Sequence, residues 1–188
     1  MRATVRPRPS LRDKAARVLW LMTWAVLFRP SPVLLFGWRR FLLRIFGAEI
    51  GPAAHPYSSA RIWAPWNLVM EAGSCLGPGV DCYSVDRITL GANAVVSQRA
   101  FICTASHDHR SPGFPLTTAP VSIGENAWIA AEAYIAPGVT VGVGAVVGAR
   151  AVAVHDVPAG AVVVGNPARV ASARAQPAVA VATPGSRR

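Results

Sequence analysis

The most regular repeat in the chain lies in residues 123–152, IGENAWIAAEAYIAPGVTVGVGAVVGARAV. An aliphatic residue recurs at every sixth position, and a small apolar residue follows each one four positions later. The two sets are Ile123, Ile129, Ile135, Val141 and Val147, and Ala127, Ala133, Val139, Ala145 and Ala151. A period of six fits neither an α-helix nor a single strand, but it fits one side of a three-sided coil. With Gly124, Gly142 and Gly148 at the bends, where little side chain is tolerated, the repeat predicts a parallel β-helix.

The count of six fails in two other places. Ile62, Leu68, Ser74 and Val80 share one phase, whereas Leu90, Val96 and Ile102 share another. We therefore predict a four-residue slip between Val80 and Leu90 that bulges one corner of the coil at residues 83–86. Residues 106–120, SHDHRSPGFPLTTAP, contain three prolines and a glycine, which predicts a loop that leaves the coil. Loops on rigid scaffolds often carry function.

Charge is concentrated at the amino terminus. The chain has 188 residues, enough for one domain with a real core, and a formal net charge of +10. Residues 1–50 carry ten Lys or Arg against two acids, whereas residues 51–170 carry six Arg against seven acids. A nucleic-acid reader would carry its basic patch on the folded domain with a recognisable reading module, so we predict no nucleic-acid partner.

The amino-terminal third has two apolar segments. Residues 18–28 are apolar but too short for the roughly 20 residues that span a bilayer, and a second apolar and basic segment covers residues 33–46. Both predict short helices. They either pack over the first turn of the coil or lie in the plane of a membrane, and the two can coexist. In the membrane alternative, Arg side chains contact anionic lipid and four aromatic residues lie in the interface, namely Trp20, Trp24, Phe28 and Trp38.

We predict four segments along the chain. Residues 1–10 and 172–188 are expected to be disordered tails, residues 11–46 the helical segment, and residues 47–171 the β-helix with its loop at 106–120. Three cysteines, Cys75, Cys82 and Cys103, are an odd number, which favours buried thiols in a reducing cytoplasm over a disulfide framework.

Five segments of the sequence carry a resemblance to a known protein family. They are PWNL (65–68), VDCYSVD (80–86), ICTASHD (102–108), AWIAAEAYIAPGV (127–139) and VGNPARV (164–170). Together with the six-residue repeat of residues 123–152, they resemble the hexapeptide-repeat acyltransferases with a left-handed β-helix. Among these they are most similar to the colanic-acid-type sugar O-acetyltransferases, over residues 40–171. The resemblance implies an all-β fold, acetyl-CoA as co-substrate and homotrimers with sites between subunits. The cysteines and the apolar, basic amino-terminal segment further predict a cytoplasmic location, with the helical segment able to touch the inner face of the membrane.

Acetyl transfer to a hydroxyl needs a base, and an imidazole suits that task near neutral pH. His107, in the T-A-S-H context, occupies the family's catalytic position. Asp86 and Asp108 are the carboxylates that could orient His107 or bind a sugar hydroxyl, and His109 has no assigned role. Tyr83 and Ser84 complete the predicted substrate-binding set, although relatives often carry Asn where this chain has Ser84.

The resemblance also assigns the acetyl-CoA contacts. They are Trp128, Ala131, Ala149, Val154, His155 and Arg169, with Arg169 facing a phosphate and His155 replacing a common Lys. Trp128 could instead pack at a subunit contact. No metal and no Ser or Cys nucleophile is implied, so transfer would be direct within a ternary complex.

Two questions have alternative answers: which acceptor the enzyme uses, and whether the protein is an acyltransferase at all. Similar coils acetylate non-sugar acceptors such as serine or antibiotics. A non-catalytic β-helix scaffold and a zinc enzyme of the γ-carbonic-anhydrase type share the coil, but the four histidines do not show the spacing of a three-imidazole site.

Overall fold

A computed structural model gives the structure of residues 4–5 and 10–174. Residues 1–3, 6–9 and 175–188, which include most of the two predicted tails, lie outside the described residues. Two residues placed in the first tail, Thr4–Val5, form a strand, and the last strand runs through residue 173 of the second.

The coil has three flat faces of parallel strands. The first face contains β2 (Glu49–Ile50), β5 (Leu68–Met70), β8 (Ile88–Leu90), β13 (Val121–Ile123) and β16 (Thr140–Val141). The second contains β3 (His55–Pro56), β6 (Cys75–Leu76), β9 (Val95–Val96), β14 (Trp128–Ile129), β17 (Val146–Val147), β19 (Ala161–Val164) and the antiparallel β20 (Arg169–Ala173). The third contains β4 (Arg61–Ile62), β7 (Asp81–Tyr83), β10 (Phe101–Cys103), β15 (Tyr134–Ile135) and β18 (Val152–Ala153).

Each face contributes one aligned column of side chains to the core. On the first face, Ile50, Met70, Leu90, Ile123 and Val141 are paired in register from coil to coil. All five are buried, so the core grows by stacking one coil on the next. Gly124 allows a close approach of two coils, since a Cβ there would lie 2.7 Å from the backbone nitrogen of Val143. The predicted parallel β-helix is therefore confirmed.

The predicted single slip between Val80 and Leu90 is wrong. The interior column passes from Ile62 to Met70 and from Cys82 to Leu90, with two extra residues at each step. Ser74 and Val80 are buried corner residues and not members of the interior column. They are equivalent to the small apolar residues of the repeat at 123–152. The extra residues and the loop all fall between the third face and the first, which we call the insertion corner.

The predicted loop contains regular secondary structure. Residues Ala105–His107 form β11 and Leu116–Thr118 form β12, and the two pair as an antiparallel hairpin. Thr4–Val5, which is β1, adds a third antiparallel strand to β12.

The amino-terminal helices lie against the first coil. Helix α1 (Leu11–Thr23) begins at a Ser10–Asp13 capping box, runs into a π-helical turn (Trp24–Phe28), and is followed by α2 (Phe36–Ile45). A short 3₁₀ turn (Pro65–Asn67) lies at the insertion corner. Indole N–H groups of Trp20 and Trp24 donate to the carbonyls of Ile62 and Ala60, at 2.6 and 2.8 Å.

The membrane assignment of the aromatic residues is corrected by this packing. Trp20 and Phe28 are buried in the core, and Trp24 packs against it. Arg39 is also buried, donating to three carbonyls and to the Ser31 hydroxyl, and burial lowers its pKa. Within residues 10–174, no helix has the length and apolar character needed to cross a bilayer.

Candidate active site

Three insertions from successive coils meet at the insertion corner. They are residues 63–67, residues 83–87 and the hairpin segment 104–120. Because parallel coils stack in register, insertions at one corner lie directly above one another. At this corner the chain departs from a flat prism on three successive coils, and the corner positions Asp86 and His107.

Short polar side chains tie the first two insertions together. The Asn67 amide Nδ2 donates to the carbonyls of Ser84 and Val85, at 2.9 and 3.0 Å. The Ser84 hydroxyl accepts from the Ala64 N–H and donates to the Ala64 carbonyl, both at 3.0 Å. Ser84 is fully buried, so its hydroxyl holds the corner together and does not face a ligand in this conformation.

Thr104 ties the second insertion to the root of the hairpin. Its hydroxyl donates to the Tyr83 carbonyl at 2.7 Å and accepts the Asp86 N–H at 2.8 Å. Thr104 is fully buried, and its own carbonyl accepts from the Ala119 N–H on the returning strand. Asn67 and Thr104 were not predicted as site residues. The only sequence signals for them were the PWNL and T-A-S-H segments at breaks in the count of six.

His107 ends strand β11 and is exposed. Its Nδ1 lies 2.6 Å from the carbonyl oxygen of Phe114, across the hairpin. Since a carbonyl can only accept, Nδ1 carries a proton, and in the neutral ring the lone pair then lies on Nε2. Phe114 holds its carbonyl there with a φ of 46°. The hairpin thus orients the ring so that Nε2 is the nitrogen that can abstract a proton when the imidazole is neutral.

The two predicted carboxylates differ in their surroundings. The Asp108 carboxylate accepts from the Ser111 hydroxyl at 2.6 Å and the Arg110 N–H at 3.0 Å, so it closes the turn of the loop. The Ser111 hydrogen bond is the largest cause that lowers the pKa of Asp108. The Asp86 carboxylate accepts from the Arg87 N–H and is half-buried at the insertion corner, on which the hairpin with His107 also lies. His109 is exposed.

The predicted acetyl-CoA residues divide between two parts of the coil. Ala131 and Ala149 stack one coil apart at the corner between the second and third faces, where the Arg150 N–H donates to the Ala131 carbonyl at 2.9 Å. Trp128 is 46% exposed on the second face and donates to Ser97 Oγ at 2.8 Å. Arg169 is exposed on β20, at the edge of the second face.

Val154 and His155 lie elsewhere, at the insertion corner itself. They follow β18, two coils beyond the strand that leads into the hairpin, which is about 10 Å along the axis. Both side chains are exposed. Within one chain the third face therefore separates His107 from Ala131 and Ala149.

Two cavities adjoin the insertion corner. One, of about 700 Å³, lies between α1 and the third face, and the other, of about 80 Å³, continues towards the hairpin and includes Leu116. They share Arg17, Trp63 and Tyr83, so predicted substrate residue Tyr83 lines both. Trp63 and Tyr83 rings lie 5.2 Å apart. Burial raises the pKa of Asp81 in the larger cavity, while the charge of Arg61 opposes that rise.

Comparison with known proteins gives the family. No protein-family model matches the chain. A relative from Escherichia coli (strain K12), named as a candidate colanic acid biosynthesis acetyltransferase WcaF, is 43% identical over 158 residues, which is 84% of this chain and 87% of the relative. The chain belongs to the colanic-acid-type acetyltransferases.

Solved structures agree with this assignment. The enzyme superimposes on a maltose O-acetyltransferase from Clostridium difficile 630 with a TM-score of 0.75 and 25% identity, over 88% of this chain and 91% of that one. A hexapeptide-repeat acetyltransferase from Vibrio cholerae O1 biovar eltor, complexed with acetyl coenzyme A, gives a TM-score of 0.80 at 22% identity, over 90% and 93% of the two chains. The latter likeness concerns the fold, and it confirms the left-handed β-helix. Within the described residues, no three His, Cys, Asp or Glu side chains are grouped to hold one metal ion.

Proposed function

We propose that the enzyme transfers an acetyl group from acetyl-CoA to a hydroxyl of a sugar or glycan precursor, in exopolysaccharide or lipid-linked glycan assembly. The observation that carries this proposal is the hydrogen bond from His107 Nδ1 to the Phe114 carbonyl, which leaves Nε2 free to accept a proton. The colanic-acid name of the Escherichia coli relative and the maltose substrate in the name of the Clostridium difficile structure support a sugar acceptor.

His107 acts as the general base in a direct transfer. Nε2 takes the proton of the acceptor hydroxyl as its oxygen attacks the thioester carbonyl, and the oxyanion that forms is stabilised by backbone N–H groups. When the carbon–sulfur bond breaks, the imidazolium returns the proton to the coenzyme A thiolate. No covalent enzyme intermediate is required. The Phe114 carbonyl keeps the tautomer fixed and stabilises the imidazolium through its hydrogen bond.

The separation of the candidate coenzyme residues favours a site between subunits. Ala131 and Ala149 offer small side chains at a corner where a chain such as pantetheine could lie against backbone, but His107 of the same chain is on the other side of the third face. A homotrimer would place the hairpin of one subunit against that corner of the next. Trp128, Val154, His155 and Arg169 remain proposed coenzyme contacts.

Mixed trimers test this arrangement. His107→Ala and Ala149→Trp are each expected to be inactive, because one lacks the base and the other blocks the coenzyme corner. When the two variants are co-expressed with different tags, mixed trimers should regain activity, at about a quarter of the wild-type sites for random assembly. Failure of mixed trimers to regain any activity would show that each site lies within one chain.

The acceptor is tested by a screen with acetyl-CoA. Free sugars, nucleotide sugars and lipid-linked sugars are compared with serine and an aminoglycoside, by thiol release and by mass spectrometry of the product. We expect an alkali-labile acetyl ester on a sugar hydroxyl. Acetylation of serine or the antibiotic alone would instead favour a non-sugar acceptor, and no thiol release with any acceptor would favour a scaffold. Metal analysis of the purified protein tests the zinc alternative.

The outward face of the helices supports peripheral contact with a membrane. Along α1 the outermost positions, Leu11, Ala15, Val18 and Met22, are all exposed and apolar, opposite the face that packs on the coil. Arg12 and Lys14 flank this stripe. A water-facing helix would carry polar residues there, so we propose that this face lies on the acyl boundary of the cytoplasmic leaflet.

The second helix continues the same surface. Leu34 is 89% exposed between the helices, and Phe41 and Ile45 are exposed on α2. Trp38 joins the two parts, since its indole N–H donates to the Leu27 carbonyl at 3.0 Å. We define these apolar residues and the stripe on α1 as the outer helical surface.

Charge favours an anionic bilayer over a second copy of the chain on this surface. Two copies meeting face to face through this surface would oppose their own basic residues, and the acids of the coil are nearly balanced by its own Arg residues. Glu132 is already paired with Arg99 and Arg150, and Glu49 with Arg87. Anionic lipid satisfies both the apolar stripe and the flanking cations.

Vesicle sedimentation tests the contact. The full-length protein should pellet with phosphatidylglycerol vesicles at low salt, less at high salt, and weakly with phosphatidylcholine. Leu34→Glu should reduce pelleting, whereas Val143→Glu, an equivalent change of an exposed apolar residue on the coil, should not. Protein that stays in the supernatant with anionic vesicles at low salt would rule out the membrane contact.

A further inference from the structure

The larger cavity lies beside the site and has no role in the reaction as proposed above. It lies between α1 and the third face, has a volume of about 700 Å³ and is lined mainly by apolar groups. We infer that this cavity and its continuation bind an acceptor in which a sugar is joined through phosphate to a lipid chain. This inference rests on the proposed acetyl transfer, and it names the class of acceptor.

The apolar part of the cavity has the size and lining for a hydrocarbon chain. Leu21 and Trp24 of the helix line it opposite Ile62 and Trp63 of the coil, and Val18 lies at its rim. Indole N–H groups of Trp20 and Trp24 are already bonded to backbone carbonyls, so these rings turn apolar surface to the cavity. A free sugar would leave this lining uncovered, whereas burial of each CH₂ group of a lipid chain is favourable.

The charge at the edge of the cavity selects an anion. Lys14, Arg17, Arg29 and Arg61 line it, against Asp81 as the one acid among the described residues of its lining, and Asp13 lines the continuation. The Nε atom of Arg17 is buried and has no hydrogen-bond partner among the described residues. A buried N–H donor without a partner is costly, so the structure leaves a place for an acceptor oxygen at Arg17.

Arg17 also stands where the cavity continues towards His107. Its guanidinium lies 5.0 Å from the centre of the Trp63 ring, and both side chains line the smaller cavity as well. That smaller cavity includes Leu116, which pairs with His107 across the hairpin. A phosphate held at Arg17 would therefore have its sugar on the side of the catalytic imidazole.

At its other end the cavity meets the outer helical surface. Val18 lines the cavity and is 58% exposed, and Leu21 lines it and is 63% exposed. A lipid chain that leaves the cavity along Val18 and Leu21 would therefore meet the acyl boundary. Chain, phosphate and sugar would then follow one path from the bilayer to His107.

Binding without turnover tests the cavity independently of the reaction. Farnesyl phosphate, which has a chain and a phosphate but no sugar, is titrated into the full-length protein while tryptophan fluorescence is followed. Saturable quenching is expected, because Trp20, Trp24 and Trp63 line the cavity. Arg17→Gln should weaken binding by about tenfold or more, and Arg99→Gln, an exposed residue of the coil that lines neither cavity, should not.

A second variant guards against misfolding of the first. Leu21→Glu changes an exposed side chain and should also weaken binding, by placing a like charge beside the phosphate. Unchanged binding in both variants, or quenching by inorganic phosphate or uridine diphosphate that equals quenching by farnesyl phosphate, would overturn the lipid assignment.

Turnover then separates this inference from the proposed function. One sugar is offered free and as its lipid phosphate, both in detergent below the level that inhibits. The lipid-linked form should have a KM at least tenfold lower, and Arg17→Gln should remove that advantage while KM for acetyl-CoA stays unchanged. Equal KM values for both forms would overturn the cavity assignment but leave the acetyltransferase standing. Absence of transfer to every sugar would overturn the proposed function, while the fluorescence titration would still decide the cavity.

Discussion

The Nδ1 atom of His107 and the carbonyl oxygen of Phe114 are 2.6 Å apart across the hairpin. Phe114 reaches this position with a φ of 46°, which proline cannot adopt and glycine adopts readily. Phe114→Pro should therefore displace the carbonyl and lower kcat by about tenfold to a hundredfold, with KM for acetyl-CoA unchanged. Steady-state kinetics of the purified variant measure both values.

Phe114→Gly is the matched control for that change. It removes the same exposed side chain but keeps the backbone conformation, so kcat should stay within about threefold of the wild type. A loss of kcat as large in the glycine variant as in the proline variant would show that the Phe114 ring, and not its carbonyl, matters.

Thr104 should be the polar link whose loss most directly loosens the insertion corner. In Thr104→Val the Asp86 N–H loses its partner in a partly buried place, which should cost about 1–2 kcal/mol of unfolding free energy. Urea denaturation measures the loss. Thr104→Ser keeps the hydroxyl and should retain most of the stability, and equal destabilisation by both variants would count against the hydrogen bonds.

Two glycines should respond to alanine with opposite signs. At Gly124 the new Cβ would lie 2.7 Å from the Val143 nitrogen, so Gly124→Ala should destabilise the coil by about 1–3 kcal/mol. At Gly37, within α2, the nearest atom is a flexible Arg40 nitrogen at 3.8 Å, so Gly37→Ala should stabilise by about 0.5–1 kcal/mol. Thermal unfolding of the two variants is the measurement. A stable Gly124→Ala protein would contradict the stacking of the coils.

Asp108 should titrate at an unusually low pH. The Ser111 hydroxyl, followed by the Arg110 N–H, lowers the pKa of this carboxyl, so its contribution to loop stability is present above its unfolded-state pKa. The contribution is lost as the pH falls through the lowered folded-state pKa. A carbon-13 titration of the carboxyl should show an upward shift in Ser111→Ala and none in Ser106→Ala. The same pKa in all three proteins would contradict the hydrogen bond.

The regular part of the coil could be predicted because its six-residue repeat is visible directly in the sequence. Positions 123–152 alternate large interior and small corner residues without interruption. The loop at 106–120 is indicated by its three prolines. His107 was selected through the family resemblance of the T-A-S-H segment at that break, and its role stays a prediction. These features depend on local pattern, which sequence records directly.

The prediction of one slip in the first coils was wrong because corner and interior residues of those coils are chemically alike. Val80 is a corner residue and Cys82 an interior one, yet both are small, apolar and fully buried. The count of six alone cannot tell them apart, so two insertions of two residues looked like one of four. Their placement at one corner depends on which face each strand joins, which is long-range information.

The helices were ambiguous for a related reason. Both sides of α1 are apolar, with Trp20 on one and Val18 and Met22 on the other, so composition could not show which side meets the coil. Asn67 and Thr104 were missed because their partners are backbone groups of a neighbouring coil. Such partners exist only once the coils are stacked.

The central claim is that Nε2 of His107 is the base for acetyl transfer. The most direct measurement is thiol release from acetyl-CoA by His107→Ala in the presence of the acceptor identified by the screen. His109→Ala, two residues further along the loop, is the matched control. We predict that kcat falls by a factor of about 10² to 10⁴ in His107→Ala, with KM for acetyl-CoA unchanged and little change in His109→Ala. Turnover by His107→Ala at the wild-type rate would contradict the account.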